Sequence, residues 1–327
     1  MSERKTKTSK PGDFLGWAPW AVSLHGGHSG QFCDHGKGTL REILDAAIER
    51  GYHTFGVAEH APRYHERYLY PEEVAMGWDI AKVQRDFEAY VEELGQLGKE
   101  YKYQGIGICR CQTLSGKSDP PSFCFLRGFE AEVVPPGDYA RLTNDLRARH
   151  KFDYVVGSVH WVKDIITDYS KDKFDEAAAK CGGQEALAVA YYEQVAEMVE
   201  AIMPEVVGHL DVIRKYASPR DTVETPRARD AARAALAVIQ KHGCILDINT
   251  PGLRRGLGSP YPAPWLLKMA AHDFGIPVCF GDDSHSPEDV GAGILESRQY
   301  LIDNGVDHIT YLAREGKTIV RKTAPLT

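Results

Sequence analysis

Three histidines stand within twelve residues of the stretch HGGHSGQFCDHG, at His25, His28 and His35, with glycines between them. Four more end short apolar runs: His60 in GVAEH, His160 in GSVHW, His209 in VVGHLD and His285 in GDDSH. Two acids hold equivalent places, Glu130 in RGFEAE and Asp283 in GDDSH. Seven imidazoles and two carboxylates make nine candidate donors, more than one tetrahedral metal site uses. Two or three divalent ions fit that count, bridged by a carboxylate such as Glu130. Imidazole and carboxylate without paired thiolates suit zinc, manganese or iron alike. Such clusters clamp the attacking and leaving oxygens of a phosphoryl transfer and acidify bound water. A phosphoesterase is the chemistry these residues point to. The other six histidines (His53, His65, His150, His242, His272 and His308) sit in helical or polar contexts that suit surface or capping roles.

Residues so far apart in sequence need a scaffold that brings them together. β-Branched apolar runs recur at residues 22–25, 54–60, 125–134, 154–162, 206–213, 244–249 and 277–280, with helix-like segments between them. Seven β/α units predict an α/β fold, a parallel (β/α)7 barrel of the TIM-like kind. The donors then fall at the C-terminal ends of the strands, the rim where barrels build their sites. Thr39 and Glu42 form a capping-box pattern ahead of Leu40, Ile43, Leu44 and Ala47, and Gly51 ends that helix. Ser286-Pro287-Glu288-Asp289 reads as a second helix start.

Composition sets the context. The chain has 327 residues, 43% hydrophobic and 26% charged, with a formal charge of −7. That balance gives no basic surplus for a nucleic-acid partner. No run reaches the roughly 18 apolar residues of a membrane span, and the polar start lacks a secretory core. Seven cysteines without a CxxC pair, Cys109 and Cys111 among them, read as reduced thiols of a cytoplasmic protein. No GxGxxG opens a helix, so no dinucleotide site is expected. We expect a polar tail over residues 1–20, one barrel domain over 21–327, and a loop insertion at 101–122. No residue pattern sets an oligomeric state.

The ordered segments HSGQFCDHG, AEHAPR, GFEAE, GSVHWV, CGGQEAL, PEVVGHLDVIRKYA, DINTPGLRRGLGSPYP and GDDSHSPEDVG resemble the histidinol-phosphatases of the PHP (polymerase and histidinol phosphatase) superfamily. The resemblance runs from about residue 23 to 300. It implies a distorted (β/α)7 barrel, a trinuclear metal centre and hydrolysis of a small phosphate ester, L-histidinol phosphate, by metal-bound hydroxide. It also implies that His28, Glu130 and Asp283 hold one ion with a further first-strand histidine. His35, His60 and His285 would hold a second ion, and His160 and His209 with Glu130 a third. Asp283, His285, Glu130 and Arg254 would then carry catalysis. Asp211, Glu59 and Asp282 flank ligands and are expected to orient them.

One departure stands in the opening stretch. The family pattern H-x-H requires a histidine at position 26, where this chain has Gly26, so His25 is the nearest substitute. In a regular strand His25 and His28 face opposite sides, and a bulge at Gly26-Gly27 would turn both inward. For phosphate, Arg63, Arg214 and Arg254 are the expected cations, with Lys215 and Arg255 as second choices. Asp168 is expected to meet a cationic amine of the substrate. The alternatives are a related metalloenzyme with another substrate or with iron and oxygen chemistry, and a binding barrel without catalysis. So many intact donors argue against the last.

Overall fold

A computed structural model of the chain describes residues 12, 14–103 and 123–327. Seven parallel strands pair in one sheet: β1 (Val22–Ser23), β2 (Thr54–His60), β3 (Cys124–Ala131), β4 (Val156–Gly157), β7 (Val206–Val207), β8 (Ile245–Asn249) and β9 (Val278–Gly281). The short antiparallel pair β5 (Trp161–Val162) and β6 (Ile165–Ile166) follows β4. A second hairpin, β10 (His308–Glu315) with β11 (Thr318–Pro325), comes last. The sheet curls until its edges meet. Leu24 N–H donates to the Phe280 carbonyl at 2.8 Å, Asp283 N–H to His25 at 2.8 Å and His28 N–H to Ser284 at 3.0 Å. The expected seven-stranded barrel is therefore present and nearly closed, with a seam of single bonds between β9 and the end of β1.

Parallel strands need crossovers, and helices supply them. They are α1 (Leu40–Glu49), α2 (Pro71–Ala75), α3 (Ile80–Tyr103), α4 (Tyr139–His150), α5 (Lys171–Cys181), α6 (Gln184–Ile202), α7 (Pro226–His242), α8 (Pro251–Arg254), α9 (Pro264–Lys268) and α10 (Ile294–Asp303). The capping box of α1 forms as read: Glu42 N–H donates to Thr39 Oγ1 at 3.2 Å and Thr39 N–H to Glu42 Oε2 at 2.7 Å. A cap of this kind is worth about 1 kcal/mol. Leu40, Ile43, Leu44 and Ala47 bury the helix's apolar face, and Gly51 takes a left-handed φ of 80° just after it.

The barrel interior is filled, as close packing demands. Tyr154 is 1% exposed and lies across β2 and β3. A Cβ on Gly56 would stand 2.3 Å from its hydroxyl, and one on Gly128 would stand 2.4 Å from its ring. Only glycine at both positions leaves room for this tyrosine.

Three expectations change. Ser286 Oγ accepts a bond from Asp289 N–H at 3.3 Å, but it caps only a turn. Gly291 and Gly293 hold φ of 81° and 84°, and the helix begins after them, at Ile294. Residues 14–20 are not a free tail, since Leu15 is 3% exposed and its N–H donates to the Arg50 carbonyl at 2.6 Å. Of the segment 101–122, residues 101–103 end α3. The rest, with Cys109 and Cys111, lies outside the described residues.

Candidate metal centre

The strand ends aim the donors at one another. His60 and Glu130 are register partners at the ends of β2 and β3, and His60 Nδ1 lies 2.8 Å from Glu130 Oε2. The other Glu130 oxygen, Oε1, is 3.1 Å from His209 Nε2, 3.4 Å from His25 Nε2 and 3.7 Å from His160 Nε2. Glu130 is thus the hub of four imidazoles, the position a bridging carboxylate requires. Asp283, just past β9, places Oδ1 3.4 Å from His28 Nε2, 3.6 Å from His285 Nδ1 and 3.9 Å from His25 Nε2. It does so with φ at 44°, a left-handed conformation that a non-glycine residue holds only when its surroundings enforce it. His285 stacks on His28 and His35 with ring centroids 4.2 and 4.6 Å apart.

The first strand resolves the departure at Gly26. β1 pairs only through Ser23, and the chain then bends, so the strand ends where a bulge was expected within it. His25 turns inward and is fully buried; Gly27, with φ of 80°, re-aims the chain so that His28 enters the same cluster. Position 26 itself points elsewhere. A Cβ there would meet Asp282 Oδ1 at 2.3 Å and Phe55 at 3.3 Å. No side chain at 26 reaches the metal centre in this backbone.

Burial and charge act in opposition here. Burial disfavours ionised Glu130 and Asp283, yet the surrounding histidines hold both carboxyls well below the usual range. Burial also resists a proton on His28, but Asp283 and Glu59 raise its pKa to about 10. His60 goes the other way, to about 4, through burial and the nearby His28 charge. Buried imidazole nitrogens normally find hydrogen-bond partners. His25 Nε2, His28 Nε2, His60 Nε2 and His285 Nε2 are buried and have none. Unpartnered imidazole nitrogens converging with ionised carboxylates are the donor set a divalent ion satisfies, so the residues fit metal ions. Mutually close groups include His25, His28 and Asp283; His25, Glu130 and His209; and His35, His60 and His285 with Cys33.

The sequence reading passed over two acids that set these rings. Asp247, in β8, places Oδ2 2.7 Å from His25 Nδ1. Glu132, one residue past β3, stands 2.5 Å from His160 Nδ1. A carboxylate on the far nitrogen fixes a ligand's tautomer. Glu59 does this for His28 at 3.3 Å, as expected. Asp282 and Asp211 do not touch the cluster. Asp282 accepts from Tyr52 and Gly291 N–H, and Asp211 accepts from Ala263 N–H and pairs with Arg214.

A cleft of about 220 Å³ opens over the cluster, lined by His35, His60, Glu130, His160, His209, Asp283 and His285. Its cations are not the expected ones. Arg63 packs over Tyr70 and pairs with Glu73 at 3.2 Å. Arg214 is buried between Asp211, Ser259 and the Pro260 carbonyl. Arg254 donates to Thr250 Oγ1 and to the carbonyls of Asp282, Ala292 and Asp283, bracing the GDDSH turn from behind. All three guanidinium groups are committed to the fold and none lines the cleft. Lys215 and Arg255, the second choices, do line it. Asp168 lies in the cleft as expected, 3.5 Å from Lys215 Nζ. Burial resists its charge, but Lys215 and its neighbours lower its pKa to about 2.

The chain is similar to known proteins in sequence and in fold. The PHP domain model matches residues 25–251. A Schizosaccharomyces pombe protein named "Probable histidinol-phosphatase" is 31% identical over 90% of both chains. The Saccharomyces cerevisiae histidinol-phosphatase is 26% identical over 88% of this chain and 90% of its own. The fold is similar to that of the Lactococcus lactis histidinol phosphate phosphatase, solved with zinc, L-histidinol and phosphate. The TM-score is 0.65 at 18% identity, over 91% of this chain and 98% of that one. By its match across most of the barrel, the chain belongs to the PHP domain family.

Proposed function

We propose that this protein is a metal-dependent histidinol-phosphatase, hydrolysing L-histidinol phosphate to L-histidinol and phosphate. The observation that carries the reading is a set of metal donors on the floor of a cleft whose walls hold both signs of charge. A phosphate ester of an amino alcohol needs both. The names of the relatives support this substrate, and the ligands of the Lactococcus enzyme are its two products.

Three divalent ions match three donor sets: His25, His28 and Asp283 with Glu130; His160 and His209 with Glu130; and His35, His60 and His285. Zinc, manganese and iron all suit these donors. When bound, such ions polarise phosphoryl oxygens and acidify water. The protein's own part is to orient the ester. Lys215 and Arg255 meet the phosphoryl oxygens, Arg255 in a bidentate manner. Asp168, ionised at any working pH, meets the substrate's ammonium. Glu130, Asp283 and His285 are the catalytic candidates on the floor, and Arg254 serves by holding the Asp283 turn. We read residues 21–327 as one catalytic domain with 14–20 docked on it, in a cytoplasmic biosynthetic enzyme.

The test is phosphate release from L-histidinol phosphate and from a panel of other monoesters, by metal-stripped protein reloaded with manganese, zinc or iron. Metal-dependent turnover that favours L-histidinol phosphate is expected. Reloaded protein that leaves this ester intact, or prefers an unrelated one, overturns the proposal.

A further inference from the structure

The outer corner of the centre contains a sulfur atom that phosphate-ester hydrolysis does not call for. Cys33 is 4% exposed, and its Sγ lies 3.4 Å from His35 Nδ1 and 3.6 Å from His35 Nε2. A thiol donating one hydrogen bond favours one nitrogen; this sulfur lies near both. His35 Nδ1 is already engaged by Asp34 Oδ1 at 3.1 Å, which leaves Nε2 as the ring's free donor. Cys33 Sγ and one nitrogen each of His35, His60 and His285 all lie within 4.8 Å of one another. The Nε2 atoms of His60 and His285 are buried without a hydrogen-bond partner.

We propose that Cys33 is a fourth donor at this corner, completing a three-nitrogen, one-sulfur site for a thiophilic divalent cation such as zinc, cobalt or cadmium. Cys33 Sγ and one nitrogen of each of the three histidines lie close enough for one ion to reach all four after the rings turn. The backbone holds the thiol in place. Cys33 N–H donates to the Ser29 carbonyl at 2.9 Å, Gly36 N–H to Cys33 at 3.2 Å, and Lys37 N–H to the His285 carbonyl at 2.7 Å. That last bond ties the cysteine loop to the segment carrying another donor of the same corner. On binding, the sulfur–metal bond forms as the thiol proton leaves to solvent, with no change of oxidation state. A fourth protein donor tightens this corner's hold on the ion. A soft donor also makes it selective, since manganese gains little from sulfur.

The inference rests on the metal-centre reading, and one titration separates the two. Metal-stripped full-length protein is titrated with cobalt(II) and followed by absorption, then with cadmium(II) against manganese(II). A near-ultraviolet sulfur-to-cobalt charge-transfer band is expected in the parent and is expected to be absent in Cys33→Ser. That variant should lose at least tenfold in cadmium affinity and little in manganese affinity. Cys33→Ala serves as a second variant, and His35→Ala, which keeps the thiol, should bind cobalt more weakly and still show the band when saturated. Cobalt bound without the band, or a band that survives in both cysteine variants, overturns the role of Cys33 and leaves the metal centre standing. A parent that binds no cobalt overturns both.

Discussion

His25 Nδ1 lies 2.7 Å from Asp247 Oδ2, and both side chains are buried at the mouth of the barrel. The pair joins the end of β1 to β8, two strands with β9 between them. Asp247 also accepts from Asn249 Nδ2 at 2.9 Å. With Nδ1 committed to Asp247, His25 presents Nε2 to Glu130 and Asp283. Asp247→Ala should therefore weaken binding of one ion by about 10–100-fold, the usual effect of losing such a support. Metal titration checks this, and an isotherm identical to the parent's would remove Asp247 from the site.

The first-strand histidine yields a paired prediction. His25→Ala should lose one ion or much of its affinity. Gly26→His should restore nothing, because its Cβ would stand 2.3 Å from Asp282 Oδ1. Overpacking of that kind costs about 1–3 kcal/mol. Thermal unfolding and metal content, measured together, decide. A Gly26→His variant with full stability and higher activity would show that the site lacks a ligand.

The arginine reassignment is testable by contrast. Arg255→Ala and Lys215→Ala should each lower kcat/KM by roughly tenfold or more with metal content unchanged, since a charge-assisted hydrogen bond is worth about 1.5–3 kcal/mol. Arg254→Ala should instead lower Tm and metal content together, because it frees the turn that holds Asp283. Arg214→Ala leaves buried Asp211 unpaired and should cost about 3–5 kcal/mol of stability. Kinetics and calorimetry on the four variants separate gripping from bracing.

Acid stability should report Asp168. Its folded pKa of about 2 lies below the roughly 3.9 of an unfolded aspartate. The carboxylate therefore contributes stability above pH ~4, and that contribution is lost as pH falls from ~4 through about 2. Denaturant unfolding of metal-stripped protein between pH 5 and 2 should show a shallower acid loss in Asp168→Asn than in the parent. Parallel curves would contradict the assignment.

Much of the centre was legible because most of its candidate donors fall at or just beyond the end of an apolar run, and the end of a run marks a barrel rim whatever the strand's exact length. The strands themselves were harder to read. β4 and β7 pair over only two residues each, since the chain leaves the ladder early to aim His160 and His209 inward. The cations were legible only as second choices. Arg254 and Arg255 are neighbours at the end of α8, where successive side chains point about 100° apart. One braces a turn and the other faces the cleft, and no local sequence signal distinguishes them. Asp247 and Glu132 escaped notice because an acid in or just past a strand has meaning only when the ring opposite it is known.

The seam gives the barrel a latch. β9 and the end of β1 meet through isolated backbone bonds at Leu24, His25 and His28 instead of a ladder, and the candidate donors His25, His28 and Asp283 sit directly on that line. An ion held by all three spans the join, so releasing it should unfasten the first strand before any other part of the sheet. Chelated protein should then be cut by proteases near residues 22–38 while the other six strands of the barrel sheet stay protected.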